Sequence, residues 1–149
     1  MTNETASRDP ARGFVPGTFS IAARDADARE FGVAVSTALV GVGALCPFVS
    51  ENAAIATQSF VKVSHGSNGI ALADRGVSVP TALDALLADD EHASYRQVHG
   101  IDADGRTYAF SGSDCVDWYG HLEAEDHTVA GNMLANGDVI ESMSETFEE

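Results

Sequence analysis

The sequence predicts an α+β domain in which antiparallel sheets carry helices on their outer faces. Three observations predict it. Apolar, strand-like runs come in pairs around turn signals, first within 18–36 and again within 96–111, as antiparallel hairpins do. A helix pair with leucines spaced by three and four separates these strand groups, and one more amphipathic helix closes the chain. The resulting order of strands, helix pair, strands and helix departs from the strict alternation of a parallel α/β sheet.

Each element has its own signal. Residues 1–17 are polar and charged at their start, with almost nothing to bury, and predict a disordered leader before one domain at 18–149. Pro16-Gly17 forms a turn ahead of the first strand, Thr18 to Arg24; a turn at 25–30 leads into the second, Phe31 to Ser36. The glycine-rich run Leu39 to Leu45 lacks the lysine and spacing of a phosphate loop and predicts a flexible connection. Ala53 to Phe60 is a further buried strand, followed by a loop at 62–66. Ser67 caps a helix that Gly76 stops in the left-handed conformation, and a second helix starts at Ser78 with Pro80 in its first turn and Leu83, Leu86 and Leu87 on one face. Arg96 to Asp102 and Arg106 to Ser111 form a hairpin about Asp104-Gly105. Gly112 to Asp126 predicts a long polar loop, His127 to Met133 another strand, and Asp138 the cap of a helix with Val139, Ile140, Met143 and Phe147 inward.

Composition excludes several function classes. Twenty-three acidic residues against eight basic ones give a formal net charge of -15, and Lys62 is the single lysine. Such a surface repels phosphate backbones and anionic membranes, which argues against nucleic-acid and membrane partners, and it suits a salt-rich cytoplasm that screens self-repulsion. There is no secretory signal and no apolar stretch of bilayer-spanning length, so a cytoplasmic location is expected. Cys46 and Cys115 read as free buried thiols.

The chemistry to consider starts at Thr18. A threonine freed at a chain start carries a hydroxyl nucleophile together with an α-amine of pKa about 8 that can serve as its base. The plainer reading is a β-branched residue opening a strand. Gln58 and Ser59 at one strand end, and Gly131 and Asn132 at another, can supply amide and backbone N–H donors to an oxyanion, or can satisfy neighbouring turns. Asn132 is the best single donor. His65, in a loop past the Gln58 strand, can act as an acid or base there or be merely solvated; His92 and His99 belong to no constellation. Cys115 and His121, with Asp114 and Asp117 near them, invite a cysteine-hydrolase or metal reading. The spacings Cys115-x5-His121 and His121-x5-His127 match no zinc pattern, so no metal and no cofactor are expected. Trp118 and Tyr119 can line a pocket or pin the loop.

Five segments in order carry a resemblance: Thr18-Phe19-Ser20-Ile21-Ala22-Ala23-Arg24-Asp25, Gly32-Val33-Ala34-Val35-Ser36, Ala56-Thr57-Gln58-Ser59-Phe60, Cys115-Val116-Asp117-Trp118-Tyr119-Gly120-His121 and Gly131-Asn132-Met133. From Thr18 onward the chain resembles the domain-of-unknown-function 1028 (DUF1028) family, which looks like a branch of the N-terminal nucleophile (Ntn) hydrolases. The resemblance implies an αββα sandwich, two antiparallel sheets between helical layers. It also implies hydrolysis of a small amide by Thr18, with Asn132 and Gln58 at the oxyanion and Ser59, His65, Cys115, Trp118 and His121 near the substrate. The alternative is a ligand-binding or assembly module that keeps the fold without the chemistry. Exposing the Thr18 amine requires cleavage of Gly17-Thr18. The lysine and aspartate of proteasome-like relatives have no counterparts near Thr18, Lys62 falling in a loop. Members usually continue past the last helix, so the resemblance implies a C-terminally truncated member whose exposed sheet edge either needs a partner, a second copy of the chain in a homo-oligomer among the candidates, or is a stability liability.

Overall fold

The computed structural model describes residues 17–149, so the leader expected at 1–17 lies, Gly17 apart, outside the described residues. In chain order the elements are β1 (Thr18–Asp25), β2 (Glu30–Thr37), β3 (Pro47–Val49), β4 (Ala53–Ser59), α1 (Val63–Ala73), α2 (Val79–Ala88), β5 (Arg96–Asp102), β6 (Thr107–Ser111), β7 (Gly120–Ala124), β8 (His127–Asn132) and α3 (Asp138–Glu148). The strands form two four-stranded antiparallel sheets, ordered β2-β1-β8-β7 and β3-β4-β5-β6. These sheets face one another, with α1 and α2 on the outer face of the second and α3 on the outer face of the first. The α+β expectation is met.

Local chemistry explains the turns. The Asp25 carboxylate accepts from the amides of Asp27 and Ala28, closing the β1–β2 hairpin, whose registry pairs Thr18 with Thr37. Between β5 and β6, Asp102 Oδ1 accepts from Asp104 N and Arg106 N, and Gly105 takes a left-handed φ of 78°. The other oxygen of Asp102 accepts from Val79 N at the start of α2, which places a carboxylate where the helix dipole favours it. Gly76 stops α1 at φ 89°, as the sequence predicts, with Val77 N reaching back to Leu72 O, and Ser78 Oγ caps α2 by accepting from Thr81 N.

Five elements differ from expectation. The loop expected at 62–66 is the first turn of α1, which begins at Val63 and not after Ser67. Packing decides this: Gly66 and Gly69 let the helix lie against Phe48 and Ile55, where any Cβ would collide. The loop expected at 112–126 contains β7, paired to β8 from Gly120 to Ala124. A short β3, which the sequence does not announce, pairs with β4, and a 3-10 turn at Val42–Ala44 replaces part of the flexible run. Asp138 is the first residue of α3 and not its cap; its amide is held instead by Asn136 Oδ1. On that helix Ile140 and Ser144 are buried, while Phe147 is 45% exposed although its ring lies against His127.

Burial divides unevenly between layers. Ala53, Ile55, Val79, Leu83, Leu87 and Val98 form an apolar cluster between the second sheet and its helices. Each large side chain there contributes roughly 1.5–3 kcal/mol of transfer free energy. The layer between the sheets holds a smaller cluster of Ala22, Ala54 and Ile101. Phe31 and Val33 pack against it, and toward the end where β1 starts that interior turns polar; there the candidate site begins.

Candidate functional site

Both sheets direct polar residues to one end of the sandwich. Thr18 opens β1 and registers with Asn132 at the end of β8; Gln58 and Gln97 are paired near the end of β4 and the start of β5, and Gln97 registers with Ser111 at the end of β6. Alternation along each strand puts Thr18, Ser20, Gln58, Gln97, His99, Thr128 and Asn132 on the faces that meet. The strands leave this end through left-handed backbone at non-glycine residues: Ser59 at φ 71° ends β4 and Met133 at φ 53° follows β8.

Thr18 is half-buried, and its Oγ1 donates to Thr37 Oγ1 at 3.0 Å. Its hydroxyl faces another hydroxyl and not packed hydrocarbon. Gly17, just before it, passes so close to β8 that a Cβ would sit 2.9 Å from Met133 O, an approach only glycine makes without a shift.

Behind Thr18 runs a hydrogen-bond chain whose direction follows from its chemistry. Gln58 Oε1 only accepts, so Ser20 gives it its one proton at 2.6 Å. The second contact of Ser20, 2.8 Å to His99 Nε2, is therefore one in which the ring nitrogen carries the proton. Nδ1 is then the bare nitrogen and accepts from Thr128 Oγ1 at 2.8 Å. His99 is completely buried, and that burial pushes its pKa down to about 3, so the ring is neutral at ordinary pH. Gln58 Nε2 and Asn132 Nδ2 both donate to Gln97 Oε1, at 2.8 and 3.0 Å. The two hydrogens of Gln97 Nε2 face three acceptors within reach: Ser111 Oγ at 2.8 Å, Gly131 O at 2.8 Å and Gly120 O at 3.1 Å. Gln97 is the junction at which both sheets meet.

Of the residues singled out in the sequence, the structure brings Thr18, Gln58 and Asn132 to this end. Gln58 and Asn132 are almost fully buried and engaged with Gln97; each donating nitrogen has a second hydrogen beyond that bond. Cys46, beside Gln58 at 3.8 Å, is buried, which pushes its thiol up to about 11. Cys115 is buried too; its Sγ donates to Arg96 O at 3.4 Å and burial raises its pKa, so it is no ready thiolate. His121 bonds Ser111 at 2.9 Å on the far flank, with β8 between its strand and β1, so it does not reach Thr18 directly. Trp118 is 39% exposed and lies over Gly120 and Gly137.

Two expectations are corrected. His65 is not a solvated loop histidine: it is 1% exposed in the first turn of α1. Its Nε2 lies 3.2 Å from Asp90 Oδ2 without hydrogen-bond alignment, and burial, opposed by Asp90, lowers its pKa. Asp90 also receives Arg96 Nε at 2.8 Å and Lys62 Nζ at 3.5 Å, and the Arg96 hydrogen bond holds its carboxyl well below the usual range. Lys62 is thus engaged beside α1. His99 in turn is part of a constellation, together with Gln97, Ser20 and Thr128, none of which the sequence singled out. The available signal was polar residues at every second position of otherwise buried strands, as in Gln97 and His99 of β5.

The metal alternative at Cys115, His121 and His127 also separates. His127 faces α3, bonding Ser144 Oγ at 2.7 Å and Glu125 O at 2.9 Å. Among the described residues no three His, Cys, Asp or Glu side chains gather as a metal site would need. Among the same residues no helix is long and apolar enough to cross a membrane.

Comparison with known proteins agrees with this architecture. A crystal structure of a DUF1028 protein from Silicibacter pomeroyi superposes with a TM-score of 0.83 at 27% identity, covering 88% of this chain. The chain spans 59% of the length of that protein. It matches none of the curated proteins. The family described as a family of unknown function, DUF1028, matches residues 18–149. The chain belongs to the DUF1028 family.

Proposed function

We propose that the protein is an Ntn-hydrolase-like enzyme that hydrolyses a small amide through Thr18, in an αββα sandwich of the Ntn kind. The observation that carries the reading is the position of Thr18: first residue of β1, half-buried, its hydroxyl on the face shared with Asn132 and beside the Thr37 hydroxyl. Hydrolysis of the Gly17-Thr18 bond would free the α-amine. That amine takes the proton of Oγ1 as Oγ1 attacks the substrate carbonyl, and the free N–H of Asn132 Nδ2 lies in the right element to meet the oxyanion. The leaving amine takes the proton back, and water then releases the acid from the acyl-threonine. Gln58 acts on this reaction only through Gln97, as a positioning residue.

The test combines intact mass with turnover. Ammonia release from a panel of short acyl amides should accompany a species lacking residues 1–17, and Thr18→Ala should lower it at least ~100-fold. Full activity in a sample that retains residues 1–17 refutes the mechanism. A second reading, a ligand-binding or assembly module without chemistry, is favoured by Lys62, which is held by Asp90 and so does not stand beside Thr18 to lower its pKa.

A further inference from the structure

We propose a second nucleophile on this fold: Ser111, with His121 as its general base, acting on small acyl esters. Ser111 ends β6 and His121 is the second residue of β7, so the pair spans the two sheets at their open flank. Ser111 Oγ lies 2.9 Å from His121 Nδ1 and 2.8 Å from Gln97 Nε2. An amide nitrogen has only protons to give, so the serine proton is not spent on Gln97, and in the His121 tautomer with Nδ1 bare it is donated there. That is the arrangement an activated hydroxyl needs: a base within reach, and a third group fixing the oxygen.

The environment suits this role. Ser111 is half-buried and His121 is exposed, so a solvent-borne ester can reach both. Partial desolvation lowers the His121 pKa against the opposing effect of Glu123, which keeps the ring neutral and basic near neutrality. Gly120, beside them, turns its carbonyl to the buried Gln97 Nε2, while Trp118 packs on the other face of Gly120, toward Gly137 and α3. In the reaction Ser111 Oγ bonds the acyl carbon as its proton passes to His121 Nδ1. The alcohol leaves with that proton, and a water deprotonated by His121 releases the acid and restores the serine. This chemistry needs neither a freed Thr18 amine nor chain cleavage, so it stands or falls separately from the Thr18 reading.

A fluorophosphonate probe on the full chain tests it. The Ser111 Oγ–P bond forms, fluoride leaves and the proton goes to His121. Tandem mass spectrometry should find one adduct, at Ser111. His121→Gln should label about 100-fold more slowly, the contribution of a positioned general base. The wild-type rate should also fall as acid protonates His121, with no such fall in His121→Gln. No adduct at Ser111, or an adduct formed as fast in His121→Gln, overturns the proposal.

Discussion

Lowering the pH from 7 to 5 should destabilise this fold through His99, and replacing His99 by glutamine should remove that part of the loss. The folded ring is held neutral by burial, its pKa pushed from 6.5 to about 3. The unfolded chain binds the proton below about pH 6.5 and the folded chain does not until about 3, so stability falls as acid is added across that window. Between pH 7 and 5 a single such group loses about 2 kcal/mol, and the loss reaches about 4 kcal/mol by pH 3. His65 and His121, whose pKa values burial also lowers, act in the same direction, so the informative quantity is the difference between wild type and His99→Gln. Glutamine keeps a donor for Ser20 and an acceptor for Thr128 while removing the titration. Relief of the acidic surface's self-repulsion on protonation is common to both proteins and cancels. Urea unfolding followed by far-UV circular dichroism at pH 7, 6 and 5, at constant ionic strength, reads the slopes. Equal pH dependence in the two proteins refutes the argument.

Two further substitutions probe other parts of the fold. Asp90→Asn leaves Arg96, Lys62 and His65 around a neutral amide and should cost about 3 kcal/mol at pH 7, read as a urea midpoint. Because the Asp90 pKa is held below 3.8, its contribution is present above that pH and lost below it, so the deficit of the variant should shrink in acid. Gly100→Ala places a Cβ 2.5 Å from Ala54 O and 2.9 Å from Ile55 Cγ1, within two paired strands that cannot both give. It should cost about 2 kcal/mol in thermal unfolding, whereas Gly32→Ala, with nothing within 4 Å, should be close to neutral; equal effects would show that the inter-strand crowding is not what Gly100 relieves.

The hairpins were legible because their turns announce themselves: Asp25 and Asp102 lie where a carboxylate can gather turn amides, and Gly105 and Gly76 where φ is positive. β7 was not, since five residues with His121 and Glu123 exposed carry too little apolar signal, and only pairing with β8 makes them a strand. The start of α1 was hidden by Gly66, whose poor helix propensity is outweighed by the close approach it allows to Phe48. At the candidate site, Thr18, Gln58 and Asn132 were found because strand ends are where donors and nucleophiles become accessible. Gln97 and His99 were missed because their partners lie far along the chain: Ser20 is 79 positions from His99, and Asn132 is 35 from Gln97. A polar side chain inside a strand declares its purpose only once the opposing sheet is in place.

The one-way order of protons from Thr128 through His99 and Ser20 to Gln58 has a consequence for how such proteins can diverge. Each member knows which way to point only from its neighbour, so a replacement that inverts one donor forces the next to invert as well. These four positions should therefore drift in concert, as matched sets, while the alanines beside them vary one at a time.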